Sequence, residues 1–368
     1  MSWRPSASLD GLRLLAALRR GVRAWMAERD VLEVTTPVLS GAASSELHLD
    51  AFRAAGPSGG PISWLQTSPE YPMKRLLAAH GVDVYQIAPV FRDGERGRCH
   101  NPEFTMLEWY RVGMDHVALM DDVEALLATL WPIGERTWHP PERRACHDLV
   151  DAILGEGAAA REAREAREAG ETGETGRARN GAPVDATGFD GARTNRVRTS
   201  EATFVDAERI RAHFEREERS FPASIGDDAD AAFDLFMDEF VLPTLPPDRP
   251  TFIHGWPPSR ASLARIGRDG EGRLVAERFE LYVGTLEIGN GFHELADAAE
   301  QRRRFEHDLA RRRALGRETP PLDERLLEAL GTGLPDCAGV AIGIERLAMA
   351  IGGLARIDDA LAFGVERA

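Results

Sequence analysis

The chain has 368 residues, 43% of them hydrophobic and 29% charged, which excludes wholesale disorder and allows one large domain or two medium ones. Its formal net charge of -15 disfavours a protein whose main task is to grip nucleic acid, because phosphate binding needs a basic face. The three cysteines lack CxxC spacing, which is typical of reduced thiols. The sequence has no membrane-length apolar run and no signal-peptide core, so we expect a cytoplasmic protein without a membrane partner.

The N-terminal stretch predicts a helix, then two strands. Ser8 is a good N-cap, and large apolar side chains recur at three- and four-residue steps to about Arg29. Val31 to Ser40 predicts a short strand interrupted by a proline. After a link rich in glycine and proline, a strand ends at Ser68-Pro69, and Glu70 is expected to open a helix.

Two β-forming runs, Val84 to Phe91 and Glu103 to Arg111, flank a polar loop and predict a hairpin. The loop, Arg92 to Asn101, is too charged to be buried and too long for a tight turn. Alternation along the second strand places four side chains on one face: Phe104, Met106, Glu108 and Tyr110. An aromatic plate, a carboxylate and a phenol beside arginines suit a purine, a triphosphate and a cationic substrate.

The middle of the chain changes character. From Gly155 to about Arg198, a low-complexity tract of arginine, glutamate and glycine has too few apolar residues to offset the cost of ordering it. We expect residues 155–198 to be a disordered or loosely helical insertion. Helical periodicity resumes from Ala202 to Leu242, where three phenylalanines are core candidates: Phe233, Phe236 and Phe240.

Arg278 to Asp297 predicts a hairpin that turns near Gly284 and runs into a glycine-rich bend. Glu280 and Glu287 lie across that turn, and paired carboxylates near phosphates commonly hold Mg²⁺. The alternative is a solvent-exposed acidic hairpin. Strict alternation points Glu287 away from Asn290 and Glu294, and a β-bulge at residues 289–291 would bring all three to one face.

The C-terminal part predicts a charged helix followed by a strand–helix unit. Gln301 to Arg313 has the composition of a solvated helix. Leu334 to Gly353 predicts a glycine-rich strand that feeds a short helix, with Arg346 in its first turn.

Together these stretches resemble the class II aminoacyl-tRNA synthetases. FRDGERGRCHNPEFTMLEWY is similar to their second signature motif, in the wording of the lysyl branch. The first helix–strand–proline unit resembles the first motif, and GVAIGIERL resembles the third. The resemblance implies an α+β fold with an antiparallel sheet flanked by helices, and a single catalytic domain over residues 1–368 that contains the insertion. It also implies ATP and Mg²⁺ as cofactors and a homodimer formed through the first motif.

The resemblance further implies residue roles. Arg92 and Arg346 are expected to be the catalytic arginines that hold the phosphates. The nucleotide is expected to contact Arg92, Asp93, Gly94, Asn101, Phe104, Glu287, Ile288, Gly343 and Arg346. The amino acid is expected to contact Ser68, Pro69, Glu70, Glu108, Tyr110, Asn290, Glu294 and Ala341. Glu280 and Glu287 are the expected metal ligands. Attack of a carboxylate on ATP builds negative charge at the α-phosphorus, which fixed guanidinium groups stabilise.

Within this family the chain most resembles the freestanding lysyl-synthetase paralogues that modify elongation factor P. A lysyl-tRNA synthetase has an N-terminal OB-fold that reads the anticodon, and the first-motif helix here begins near Ser8. We therefore expect no anticodon-binding domain and no tRNA partner. The expected reaction activates (R)-β-lysine or lysine with ATP and transfers it to the ε-amine of a lysine in elongation factor P. Two alternatives stay open: a truncated lysyl-type enzyme that acts on tRNA, and a non-catalytic regulator that binds amino acid and nucleotide.

Three positions depart from the family pattern. Gly94 stands where the family has a loop glutamate, although Glu95 follows it. Cys99 replaces the arginine that lysyl enzymes have before HNPEF. Ala341 occupies a position that is glycine in tRNA-charging enzymes. The extra methyl in a tight pocket is expected to shift substrate preference by about 1–3 kcal/mol, in favour of β-lysine over α-lysine.

Overall fold

The computed structural model describes residues 3–56, 60–155 and 207–368. Its α-helices are α1 (Leu9–Ala27), α2 (Glu70–His80), α3 (His116–Leu130), α4 (Cys146–Leu154), α5 (Ala207–Arg216), α6 (Ala229–Phe236), α7 (Ala298–Ala314), α8 (Glu324–Gly333) and α9 (Ile344–Gly352). Its strands are β1 (Leu32–Glu33), β2 (Leu39–Ser40), β3 (Arg53–Ala54), β4 (Ser63–Leu65), β5 (Val84–Phe91), β6 (Glu103–Val112), β7 (Glu142–Ala145), β8 (Pro250–Trp256), β9 (Ile266–Arg268), β10 (Leu274–Val283), β11 (Leu286–His293) and β12 (Cys337–Gly343). None of the helices in the described part of the chain has the length and hydropathy that a membrane span requires.

The chain divides into two compact units. One comprises Met1–Cys146 with Leu242–Ala368, and the other is His147–Val241. The described part of the second unit is helical, as its periodicity predicts, but α5 and α6 are separate helices rather than one run. Phe233 and Phe236 are buried as predicted, and the half-buried Phe240 packs its ring against Phe214 at a centroid distance of 4.8 Å. Except for its first residue, the predicted insertion lies outside the described residues.

A large mixed sheet forms the centre of the first unit. The strand order is β1-β5-β6-β12-β11-β10-β8-β7, and β9 pairs with β10. Only the outermost pairs, β1 with β5 and β7 with β8, are parallel. One face of the sheet packs against α1, α3 and α9, where side chains such as Trp25, Leu127 and Leu347 are fully or almost fully buried. This architecture confirms the predicted α+β class.

The N-terminal helix follows its prediction, and the strand after it does not. The Ser8 hydroxyl oxygen accepts a hydrogen bond from the Gly11 N–H at 3.1 Å and caps α1. Residues 31–40 were expected to form one strand, but they supply β1 at the edge of the large sheet and β2 in a separate sheet of order β2-β4-β3. The physical reason lies between them. The Thr36 N–H donates to the Gln86 side chain, and Pro37 has no N–H for a ladder, so the chain leaves the sheet there.

The β10–β11 hairpin contains a register shift close to the predicted bulge, but at a different residue. Pairing runs unbroken from Gly289 to Phe292, and the shift falls between Gly289 and Glu287, so Ile288 is the unpaired residue. The predicted position was wrong because Gly291 serves packing instead: a Cβ there would lie 2.3 Å from the Phe279 ring. The predicted effect of the bulge is nevertheless present, because Glu287 and Asn290 lie on the same face of the sheet and line the same cavity.

Helix α7 is less solvated than its composition predicts. Arg312 is only 2% exposed, and its guanidinium donates to the carbonyl oxygens of Glu46, Leu49 and Glu318 at 2.6–3.0 Å. It also pairs with the Asp50 carboxylate at 2.6 Å. One side chain of this helix therefore fixes the loop at residues 46–50.

Candidate active site

A cavity of about 410 Å³ opens on the face of the large sheet opposite to α1, α3 and α9. The residues predicted to bind substrate or nucleotide that line it are Ser68, Glu70, Arg92, Phe104, Glu108, Tyr110, Glu287, Ile288, Asn290, Glu294, Ala341, Gly343 and Arg346. Met106 completes the predicted face of β6. The two arginines expected to be catalytic therefore share one cavity with the acidic residues expected to bind an amino acid.

The sheet register sets the cavity floor. Glu108, Ala341 and Asn290 are direct neighbours on β6, β12 and β11. Tyr110, Gly339 and Phe292 form the next row. A Cβ on Gly339 would lie 2.3 Å from the Tyr110 ring and 2.7 Å from a Glu294 carboxylate oxygen. Glycine at this position lets the phenol and the carboxylate approach each other across β12.

One end of the cavity holds a cluster of buried carboxylates. The Lys74 ammonium lies 2.5 Å from the Glu70 carboxylate and 2.5 Å from the Glu294 carboxylate. Ser68 and Tyr110 each donate a hydroxyl hydrogen bond of 2.6 Å to Glu108. Three carboxylates and one ammonium leave this end with a formal charge of -2 when all four groups are ionised.

Burial dominates the electrostatics of this cluster. It raises the pKa of Glu108 to about 7, assisted by the charge of Glu70 and opposed by the hydrogen bonds from Ser68 and Tyr110. It raises the pKa of Glu294 to about 8, against the attraction of Lys74. Burial alone would lower the pKa of Lys74, but the carboxylates of Glu294 and Glu70 outweigh it and hold that pKa well above its ordinary value. Lys74 therefore stays charged, and Glu108 and Glu294 take up protons at a higher pH than ordinary carboxyl groups do.

Asn290 presents an unused acceptor at the same end. Its amide oxygen is buried and makes no hydrogen bond within the described residues. An unpaired buried acceptor costs about 1–3 kcal/mol, so a ligand N–H at this position would remove a penalty.

The opposite end of the cavity holds the two arginines. Arg92 reaches the Thr67 carbonyl oxygen at 3.4 Å and the Glu95 carboxylate at 3.5 Å, and its Cζ lies 5.2 Å from the Phe104 ring centroid. Arg346 donates to the Cys99 carbonyl at 3.2 Å and to the Glu287 carbonyl at 3.0 Å. These bonds hold both guanidinium groups in place but are long enough for a phosphate to replace them.

The two expected metal ligands differ in their surroundings. Glu287 lines the cavity, and its carboxylate lies 3.4 Å from Arg346. Glu280 does not line the cavity, and Arg278 and the Tyr282 hydroxyl each contact its carboxylate at 2.5 Å. An exposed carboxylate beside an arginine that is expected to hold phosphate fits Mg²⁺, which prefers oxygen ligands and retains several waters. Glu287 therefore fits the ion, whereas Glu280 is already engaged.

Four more predicted residues lie outside the cavity lining. Pro69 occupies the N-cap position of α2 between two lining residues. Asp93 is exposed and accepts a hydrogen bond from the Gly94 N–H, and Gly94 has a φ of 78° that favours glycine. Asn101 is buried; its amide donates to the Glu103 carbonyl and accepts from the Val365 N–H. Asn101 thus fastens the C-terminal segment beside Arg346.

The sequence left several residues at or beside the cavity unassigned. Lys74 follows Glu70 by four residues on a predicted helix, a spacing that favours an ion pair and could have identified it. Arg75 and Arg325 lie at the lining without a carboxylate partner among the described residues. One wall is formed by residues 39–44, 46 and 49. It begins in β2, which was expected to belong to a single strand over residues 31–40.

Residues 1–367 match the family model described as tRNA synthetases class II (D, K and N). The chain belongs to the class II aminoacyl-tRNA synthetase family. Members of this family are ATP-dependent ligases that activate an amino acid, and they generally use Mg²⁺. The class II assignment agrees with the fold, because the arginines and acidic residues converge on one sheet face as the family motifs require.

Proposed function

We propose that this class II enzyme activates a lysine-type diamino acid, (R)-β-lysine or lysine, as an aminoacyl-adenylate, and transfers it to the ε-amine of a lysine in elongation factor P. The observation that carries the substrate class is the buried cluster of Glu70, Glu108 and Glu294 around Lys74. Its formal charge of -2 matches the two ammonium groups of a diamino acid. A neutral or acidic side chain would leave these carboxylates buried without compensation, which is costly.

The geometry supports adenylate chemistry at the other end. With the ammonium groups among the carboxylates, the substrate carboxylate points toward Arg92, which is expected to contact the α-phosphate. Arg346 would clamp the distal phosphates and Phe104 would stack on the base. Mg²⁺ held by Glu287 would neutralise phosphate charge. Positioning and electrostatic stabilisation are sufficient for this step, since the substrate carboxylate is itself the nucleophile.

Two features favour a protein acceptor. The net charge of -15 opposes a partner that is a polyanion. Ala341 lies between Glu108 and Asn290 on the cavity floor, where the tRNA-charging relatives are expected to have glycine. The competing proposal is aminoacylation of tRNA, which the family assignment favours.

A homodimer is part of the proposal. Three leucines of the first-motif region are 54–62% exposed: Leu9, Leu32 and Leu39. An interface formed through the first-motif region would cover these side chains. Light scattering should give twice the mass of the 40.4 kDa chain.

ATP–pyrophosphate exchange tests activation, with lysine, (R)-β-lysine, ornithine and arginine as substrates. Mass spectrometry of elongation factor P after incubation, beside charging of lysine tRNA in parallel, tests the acceptor. A mass increase on the factor that requires ATP and the diamino acid supports the proposal. Charging of tRNA without modification of the factor would favour the competing function, and absence of exchange with every diamino acid would overturn both.

A further inference from the structure

Behind the active-site face, three side chains from three separate elements converge. His116 is the first residue of α3, Glu277 lies on β10 and His293 lies on β11. One potential ligand atom from each lies within 4.8 Å of the others. Glu277 and His293 alternate with the cavity-side residues Arg278 and Phe292, so the cluster occupies the opposite face of the sheet. The proposed reaction does not use it.

One ring nitrogen of His116 lacks a hydrogen-bond partner among the described residues. Its Nδ1 is inaccessible to solvent and makes no hydrogen bond within the described residues. Burial lowers its pKa, assisted by the charge of His293 and opposed by Glu277 and Asp115. This shift favours the neutral imidazole, which is the form that binds a metal ion.

His293 is held in a defined orientation by the next shell of residues. Its Nε2 lies 3.0 Å from the Asp336 carboxylate, and Arg265 pairs with that carboxylate at 2.6 Å. Its Nδ1 points to Glu277 at 2.5 Å. A carboxylate on the far nitrogen of an imidazole is the common outer arrangement of metal-bound histidines, where it fixes the ring and raises its basicity.

We propose that His116, Glu277 and His293 form a site for a transition-metal dication, Zn²⁺ in preference to Mg²⁺. Two imidazoles and one carboxylate are a ligand set that Zn²⁺ accepts, with a water in the fourth position, whereas Mg²⁺ prefers oxygen ligands. The ion replaces the proton between His293 Nδ1 and Glu277, and that proton is released to solvent. Binding rearranges the cluster, because two ligand atoms that each lie about 2.0–2.2 Å from a tetrahedral ion are farther apart than the 2.5 Å between His293 Nδ1 and Glu277. That pair opens to admit the ion, and His116 moves toward it.

The site would link α3 to the two strands beside the substrate pocket. His293 immediately precedes Glu294, whose carboxylate pairs with Lys74 on the cavity side. Metal binding is therefore expected to stabilise the fold and to restrain the strand that carries Glu294. It does not depend on the identity of the amino acid or acceptor.

Co²⁺ titration of the metal-stripped chain tests the proposal, because tetrahedral Co²⁺ absorbs visible light strongly. We expect one equivalent of tightly bound Co²⁺ that Zn²⁺ displaces, and at least about a 100-fold loss of affinity in His116→Ala. His80→Ala, which removes an exposed histidine at the end of α2, is the matched control and should bind as the parent does. Asp336→Asn should weaken binding by about 10–100-fold.

Thermal unfolding gives a second readout that does not require a spectrum. Without metal, His116→Ala should unfold at the same temperature as the parent or slightly higher, because an unpaired buried nitrogen is removed. With Zn²⁺ the parent should gain stability and the variant should not. Absence of Co²⁺ absorption, or binding that survives His116→Ala, would overturn the site and leave the cluster as a metal-free ion network.

Discussion

The two ends of the active-site cavity are prepared for their ligands in different ways. At the acidic end, Lys74 and Glu294 are each 1% exposed and lie in direct contact, so the charges are already paired. At the basic end, Arg92 and Arg346 are 24% and 19% exposed and rest on carbonyl oxygens at 3.0–3.4 Å. The acidic end must exchange protons or partners to bind a ligand, whereas the basic end only has to release weak contacts.

This difference separates selectivity from catalysis. Buried, pre-paired carboxylates penalise any ligand that does not supply positive charge, which gives discrimination. In the proposed reaction, the partly exposed guanidinium groups would bind phosphates of any nucleotide and stabilise the charge that develops in the transition state. Substitutions at the two ends should therefore change different kinetic parameters.

The largest effect is expected from Arg346→Ala. Loss of a fixed cation at the phosphates should lower kcat for ATP–pyrophosphate exchange by about 10²–10³-fold with little change in the KM for the amino acid. Arg346→Lys should restore little, because an ammonium cannot make the bidentate contact. If Arg346→Ala instead lowered kcat/KM by the same factor only by raising the KM for the amino acid, the two ends of the cavity would not have separate kinetic roles.

Lys74→Met should produce the largest loss of stability. Glu70 and Glu294 would lose their shared cation, and removal of one partner from a buried ion pair costs about 3–5 kcal/mol. Urea titration should show this as a lower free energy of unfolding. Arg75→Met is the matched control on the same helix, since Arg75 has no ion pair among the described residues, and an equal loss there would refute the role of Lys74 as counter-ion.

Gly339→Ala should damage the acidic end without removing a charged group. Its Cβ would collide with the Tyr110 ring and a Glu294 oxygen, and overpacking of this kind costs about 1–3 kcal/mol. We expect a higher KM for the amino acid with kcat nearly unchanged. Gly331→Ala on α8, where no atom lies within 4 Å of the added Cβ, should leave KM as it is.

The pH dependence should have opposite signs for folding and for binding. Glu108 and Glu294 have pKa values raised to about 7 and about 8 from an ordinary 4.5. Between those limits the folded chain holds more protons than the unfolded chain, so this pair's contribution to the free energy of unfolding falls as pH rises. A diamino acid requires ionised carboxylates, so its KM should fall as pH rises toward about 8, by about tenfold per pH unit for each carboxylate that is still protonated. Glu108→Gln should remove the lower step of the KM profile, and a flat profile in the parent would contradict the assignment.

Ala341→Gly should have the smallest effect. Removing one methyl from the floor between Glu108 and Asn290 is expected to change the preference between β-lysine and α-lysine by about 1–3 kcal/mol toward α-lysine. The ratio of kcat/KM for the two amino acids in pyrophosphate exchange measures it. An unchanged ratio would remove Ala341 from the specificity argument.

Local patterns in the sequence were sufficient to predict the β5–β6 hairpin, which carries part of the candidate site. The strand Val84–Phe91 has the predicted bounds, and simple alternation along β6 placed Phe104, Glu108 and Tyr110 on the cavity face. These features depend on a period of two residues and on nothing distant in the chain. The family resemblance supplied what periodicity could not, namely that Arg92 and Arg346 meet in one cavity.

The errors arose where distant packing decides the structure. The bulge falls at Ile288 because the Phe279 ring occupies the space beside Gly291, and no local pattern contains that contact. The pairing of Lys74 with Glu294 joins α2 to the end of β11, so the sequence spacing reveals only its nearer partner, Glu70. Glu280, an expected metal ligand, also forms an ion pair with Arg278, two residues before it, and strand alternation alone does not reveal that contact.

The buried guanidinium of Arg312 has a consequence for how ligands reach the cavity. It fixes the 46–50 loop, and the Asp50 carbonyl in turn accepts the N–H of Asp93 at the start of the arginine-rich hairpin loop. Opening that wall would break several charge-assisted bonds at once. Substrates should therefore enter through the existing opening of the cavity. Differences in affinity between candidate ligands should then appear in their dissociation rates rather than in their association rates.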